Sequence, residues 1–267
     1  MKRFKRYIKL YKTYLGRAIK SRLEYKKDAV IGIFSFLITN AISFASLMFI
    51  VQSIPSLNGW TMYELGFLYG FSMIPRAIDH LLTDSLWYVG YWYVRSGLID
   101  RFLIRPVNSL FQVIAEVFQP EAIGELIVGV ALLIMCGSEV TIHWSFSTII
   151  LLIIASIFGA AIFTAIKLIT CSVAFWTKRS GQLMSTAYNF ADFSKYPIKI
   201  YHPVIKFIMT FILPFGLVIS IPIEVVLRGG YNSSVISLCI ILVACLLSLL
   251  GYSIWNMGLK RYESSGS

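Results

Sequence analysis

The sequence predicts an all-α integral membrane protein of six transmembrane helices, and three observations carry the prediction. Apolar runs of the length needed to cross a bilayer, about 20 residues at 1.5 Å rise each, recur along the 267 residues. Only 14% of residues are charged and 57% are hydrophobic, whereas a soluble domain is roughly 25% charged. Of the 24 Lys and Arg, roughly 21 can be assigned to one side of those runs, as the positive-inside rule requires.

Taken in order, residues 1–28 form a first unit. Phe4, Tyr7, Ile8, Tyr11, Tyr14, Leu15, Ala18, Ile19 and Leu23 recur at steps of three and four, with Arg3, Lys5, Arg6, Lys9, Lys12, Arg17 and Lys20 opposite. That pattern predicts a basic amphipathic helix lying in the interface; the alternative is an unstructured basic tail. Residues 29–259 form a single six-helix domain, and 260–267 a short tail.

The first span covers about Ala29–Val51, followed by an outer turn, Gln52–Gly59, rich in turn formers. The second, Tyr63–Leu82, is interrupted by Pro75, Arg76 and Asp79. A loop from Thr83 to Pro106 carries Arg95, Arg101 and Arg105. The third span runs Ser109–Met135, and the loop Gly137–Trp144 has no Lys or Arg. The fourth is Ser147–Ala174, after which an inner loop holds Lys178, Arg179, Lys195 and Lys199. The fifth, Phe207–Val226, contains Pro214 and Pro222, and the sixth is Val235–Leu259 before Lys260-Arg261. Both termini then fall on the cytoplasmic side. Trp60, Tyr63, Trp87, Tyr88, Trp92, Trp144 and Tyr231 mark the two interfaces.

Several function classes are disfavoured. No G-x-x-x-x-G-K-[ST] loop occurs, so the chain does not hold a nucleotide that way. There is no G-x-S-x-G, no H-E-x-x-H and no paired-Cys spacing, so neither an enzyme nor a metal centre is expected. Cys136, Cys171, Cys239 and Cys245 sit in or beside apolar runs and read as packing residues. The net charge of +11 flanks apolar spans, which fits anionic lipid headgroups rather than nucleic acid.

The loop Val94–Asn108 mixes charges with Leu98, Ile99, Phe102 and Leu103 at helical spacing, between Gly97 and Pro106. A short amphipathic helix is expected there, either seated in a partner's groove or simply joining two spans at the interface. Inside the spans, Glu116, Glu121 and Glu125 lie on the third and Lys167 on the fourth. A mid-bilayer charge costs roughly 2.5–3.5 kcal/mol on insertion scales, so such groups pair or line water. Equal depth predicts that Lys167 pairs with Glu116 or Glu121, as a static tie or as part of a substrate path. Gly66-x-x-x-Gly70 allows close helix approach, more simply within one subunit than between two. Pro214, Pro222 and Glu224 make the fifth span a broken helix, either an outer gate or a plain kink.

The stretch S-G-x-I-D-x-x-L-I-R-P-V-N at 96–108 resembles the loop between the second and third spans of permeases of the type-2 ABC exporter superfamily, in a bacterial branch of about 260 residues. Arg22-Leu23-Glu24-Tyr25-Lys26, Gly59-Trp60-Thr61 with Glu64, Phe175-Trp176-Thr177-Lys178-Arg179-Ser180, Phe193 with Tyr196-Pro197, and Pro214-Phe215 extend the resemblance in order along the chain. Val218-Ile219-Ser220-Ile221 departs from it, being plainer than the polar-aromatic stretch such permeases carry before the fifth-span proline.

The resemblance implies a plasma-membrane permease that dimerises with itself or a sibling and works with two separate ATP-binding cassette ATPase subunits. ATP and Mg would be held by those partners, and no cofactor by this chain. The loop would be a cytoplasmic coupling helix, with Arg95, Gly97, Asp100, Arg101, Arg105, Pro106 and Asn108 as its coupling residues, some of them facing lipid phosphates instead. The acidic groups Glu116, Glu121, Glu125 and Glu224 would suit an amphipathic, drug-like cation as cargo. An ion-gradient-driven transporter and a non-transporting scaffold or sensor are the rival readings.

Overall fold

The computed structural model describes residues 2–24, 26–52 and 59–264. Most of the expected turn Gln52–Gly59, Tyr25 in the motif before the first span, and the last three residues of the tail lie outside them, as do the side chains of Phe4, Ile8 and Leu23. Among the described residues every regular element is helical.

Helix α1 (Lys2–Glu24) is amphipathic: Lys9, Lys12, Arg17 and Lys20 are exposed, while Tyr7, Tyr11, Tyr14 and Leu15 are half-buried. Its aromatic edge meets Phe111, the Tyr7 and Phe111 ring centroids lying 4.9 Å apart. Helix α2 (Lys26–Gln52) follows, and its outward residues Ile31, Phe34, Ile38, Ile42 and Phe49 are apolar.

Helix α3 (Met62–Thr83) starts in a capping box. Thr61 Oγ1 accepts from Glu64 N at 3.3 Å, and Glu64 Oε2 accepts from Thr61 N at 2.7 Å. Pro75 does not interrupt it, contrary to the broken second span expected. The ring lies against Gly159, where an added Cβ would come within 3.0 Å of Pro75 Cβ.

The third apolar run, expected to be continuous, is two helices, α4 (Ser109–Glu116) and α5 (Ala122–Gly137). Pro120 has no N–H and disfavours helix at the residue before it; Gln119 N instead reaches Leu81 O at 3.4 Å. Helix α6 (Phe146–Ser172) is capped by Ser145 and runs unbroken.

The segment after α6 departs furthest from expectation. Gly181–Asp192 is helix α7, not loop. It starts where Ser180 N meets Gly90 O at 2.9 Å and then climbs antiparallel to α3. Tyr188 meets Asp79, Asp192 meets Arg76, and the Lys195 ammonium sits 5.6 Å from the Tyr69 ring centre. Lys195 and Lys199 are therefore well removed from Lys178 and Arg179, and the inner loop is shorter than predicted. Helix α8 (Pro203–Ile212) then turns back, and α9 (Phe215–Arg228) leaves it at a 74° bend over Leu213-Pro214. Helix α10 (Ser233–Arg261) closes the bundle, capped by Asn232.

Contacts fix the directions. Gly70 faces Gly129 and Gly66 faces Cys136, so α3 and α5 are antiparallel. Gly251 packs on Leu168 and Gly258 on Phe175, so α10 runs parallel to α6. One end of the bundle gathers α1, residues 94–108 and the chain's last helical turn. Asn108 Nδ2 reaches Tyr252 OH at 3.2 Å, and Phe175 stacks edge-on to Trp255 and Tyr262. Arg95, Arg105, Lys178, Lys260 and Arg261 lie at this end. At the other, Arg228 donates to Gly59 O at 2.9 Å and covers the Trp60 ring.

Among the described residues three helical stretches, Val30–Phe49, Phe146–Thr177 and Ser233–Arg261, are long and apolar enough to cross a membrane, and the bent α8–α9 pair would be a fourth.

Candidate functional site

Helices α3, α5, α6 and α7 meet around buried charges. Lys167 Nζ on α6 lies 2.9 Å from Asp79 Oδ2 and 3.0 Å from Asp84 Oδ1. Asp79 is fully engaged: Thr83 and Thr164 donate to Oδ1 at 2.6 and 2.7 Å, and the Tyr188 hydroxyl donates to Oδ2. Both Asp79 oxygens and the Lys167 ammonium have partners, which is how an ion pair survives in an apolar interior.

The expected pairing of Lys167 with Glu116 or Glu121 is thus corrected. Depth alone does not fix azimuth: α6 lies along α3, matching Gly159 to Pro75, Thr164 to Asp79 and Lys167 to Thr83. Glu116 instead accepts from Arg101 Nη2 at 2.5 Å and the Tyr93 hydroxyl at 2.9 Å. Glu121 is buried where α5 crosses α2, against Gly32.

A second network adjoins the first, one helical turn along α3. Glu125 Oε2 lies 3.0 Å from His80 Nδ1, and Oε1 lies 3.5 Å from Arg76 Nε. Arg76 Nη1 and Lys195 Nζ both reach Asp192 Oδ1 at 2.8 Å. These groups wall a cavity of about 370 Å³ whose far side is a hydroxyl and amide stripe on α2, Ser35, Thr39, Asn40 and Ser43. Ser35, Asn40 and Ser43 donate to carbonyls of their own helix.

At the basic end the loop is tighter than a free amphipathic helix. Its helical part is one turn, Asp100–Leu103, after Gly97 at φ +72°. Ile99 and Phe102 are buried within the chain, whereas Leu98, Leu103 and Ile104 are exposed, so only part of the predicted apolar ridge faces outward. Arg101 turns inward to Glu116, Asp100 accepts from Ser264 Oγ at 2.5 Å, and Arg105 Nη1 approaches the Tyr14 hydroxyl at 3.4 Å. Asn108, just after Pro106, caps α4 through Phe111 N at 3.0 Å. Arg95 is exposed.

The family comparison decides what this architecture serves. The family described as ABC-2 family transporter protein matches residues 37–266. The chain belongs to that family. A comparison with curated proteins gave no match. This ABC-2 permease is therefore a multi-pass membrane component of an ABC transporter, in agreement with its apolar helices.

At the opposite end of the permease, Lys199 pairs with Glu224, and Pro222 is buried. Pro214 lies at the bend, deeper in the bundle, next to Phe215, whose ring packs 4.6 Å from that of Phe163. The three residues proposed for a gate are therefore not at one height. Sequence reasoning missed Arg76, Asp79, Asp84, Tyr188 and Asp192 as partners. The α2 stripe was visible as Ser35, Thr39, Ser43 and Ser46 at helical spacing within an apolar run.

Proposed function

We propose that this permease is the membrane half of an ATP-driven exporter, dimerising with a copy of itself or a sibling and driven by two separate ATP-binding cassette ATPases that hold ATP and Mg. Six crossings suit the helix directions: α2, α3, α4 with α5, α6, α7 with the α8–α9 turn-back, and α10. Both termini are then cytoplasmic, in a bacterial plasma membrane. In this reading the basic end docks the ATPase. The observation that carries it is the exposed trio Leu98, Leu103 and Ile104, set among basic residues and beside α1. An apolar ridge ringed by charge is what a partner's groove would accept.

ATP binding would draw the two docked loops together, and α3, continuous with that loop through residues 84–93, would carry the motion inward. The cavity beside Arg76, Glu125 and Asp192 is the cargo path in this reading, and the bent α8–α9 pair its outer closure. Lys167 and Glu116, each fully paired, serve as static ties. The cargo class favoured is an amphipathic cation.

Co-purification tests the reading. A stoichiometric ATPase whose hydrolysis is stimulated by cargo supports it. Transport that collapses with the proton gradient but survives ATP depletion would establish a secondary transporter instead, and a bound partner without ATPase motifs would establish a scaffold.

A further inference from the structure

Asp192 sits on the wall between two cavities. One is the polar chamber of about 370 Å³ facing the α2 hydroxyls. The other, about 360 Å³, is lined by Asp192, Phe193, Tyr196, Ile200 and Tyr201. Its aromatic rings are set at an angle, Phe193 and Tyr201 lying edge-to-face at 5.5 Å. Asp192 is the one residue that lines both.

Exposure decides which charge a ligand meets. Among the charged or titratable side chains of the polar chamber, Asp192 is 48% accessible, against 24% for Arg76, 19% for Lys195, 11% for His80 and 4% for Glu125. Both cationic partners of Asp192 contact Oδ1. The charged group that a ligand in this chamber meets most readily is therefore a carboxylate. Aromatic faces next to a carboxylate attract organic cations through the ring quadrupole as well as by charge, and gain further from burying apolar groups.

We propose that this is a binding site for an amphipathic organic cation, its charged centre at Asp192 and its apolar groups against Phe193, Tyr196 and Tyr201. Lys195 competes for the same carboxylate and acts as a built-in occupant that the ligand displaces. The proposal rests on reading the chain as a transport subunit, and it adds to that reading the place and chemistry of cargo recognition.

The test is equilibrium binding of radiolabelled tetraphenylphosphonium to the full-length permease in nanodiscs, without ATPase. Saturable binding is expected. Asp192→Asn should weaken it by about tenfold or more, and Phe193→Leu with Tyr201→Leu by about fivefold. Lys195→Met should tighten it. Tetraphenylborate, of the same shape and opposite charge, should compete at least about tenfold less well. No saturable binding, wild-type affinity in Asp192→Asn, or equal competition by tetraphenylborate overturns the proposal. If Asp192→Asn does not remain monodisperse, the double aromatic variant decides, because it leaves the ion pairs intact; unchanged affinity there overturns the site. Binding without ATP-driven export would defeat the exporter reading and leave the site standing. Export of the same cation undiminished by Asp192→Asn would defeat the site alone.

Discussion

Lys167 Nζ and Asp79 Oδ2 lie 2.9 Å apart with both side chains wholly buried, joining α6 to α3 at the height where Tyr188 of α7 also reaches Asp79. Three helices share one carboxylate. Removing the cation strands that carboxylate in an apolar interior, which costs on the order of 3–5 kcal/mol. Lys167→Met is therefore expected to lower thermal stability in detergent sharply and to reduce assembly. Lys167→Met combined with Asp79→Asn should recover a substantial part. Normal stability with lost transport would instead place Lys167 in the cargo path.

Gly70 and Gly129 face each other where α3 and α5 pack backbone to backbone. A Cβ on Gly70 would lie 2.9 Å from Gly129 O and from Leu132 Cβ. Gly70→Ala is expected to destabilise the single subunit by roughly 1–3 kcal/mol through overpacking. Gly16→Ala on α1 meets nothing within 4 Å and should be neutral or stabilising by roughly 0.5–1 kcal/mol. Thermal melts of the two variants check both signs. A Gly70→Ala protein that melts normally but loses dimerisation would move this contact to a subunit interface.

The outward ridge of the 94–108 loop separates docking from folding. Ile104→Asp, at a fully exposed apolar position, should cut ATPase co-purification by about tenfold while leaving the permease melt unchanged. Phe102→Ala removes a buried ring beside Tyr93 and should destabilise the permease by about 3–5 kcal/mol, with a lowered melt. If Ile104→Asp retains its partner, the docking face lies elsewhere.

Orientation can be read with single cysteines in a background lacking the four native ones. Ser96→Cys should react with a membrane-impermeant maleimide only in opened cells or inverted vesicles. Tyr231→Cys, exposed at the opposite end, should react in intact cells. The reversed pattern would exclude cytoplasmic docking of the loop.

The long, predominantly apolar helices were legible from sequence nearly to the residue. The apolar helix expected at Ser147–Ala174 is found at Phe146–Ser172, and the one expected at Val235–Leu259 is found at Ser233–Arg261. The few polar residues they carry, Lys167 among them, do not interrupt their apolar pattern. Helix α7 escaped because Gln182, Thr186, Asn189 and Asp192 lower its hydropathy below that of a span, although Met184, Ala187, Tyr188 and Ala191 bury its other face. Of the candidate site, Glu125 was found, but Arg76 and Asp79 were read as interruptions of the second span. Which carboxylate meets Lys167 depends on how α6 is rotated against α3, and rotation is a tertiary property that spacing along one helix does not contain.

Helix α7 is fastened to α3 and its extension at four heights, through Ser180 and Gly90, Tyr188 and Asp79, Asp192 and Arg76, and Lys195 and Tyr69. Two rods riveted at four points cannot slide past each other; they swing together as one plank. The largely unburied α2, which lines the polar chamber opposite them with hydroxyls, is held by none of these four rivets.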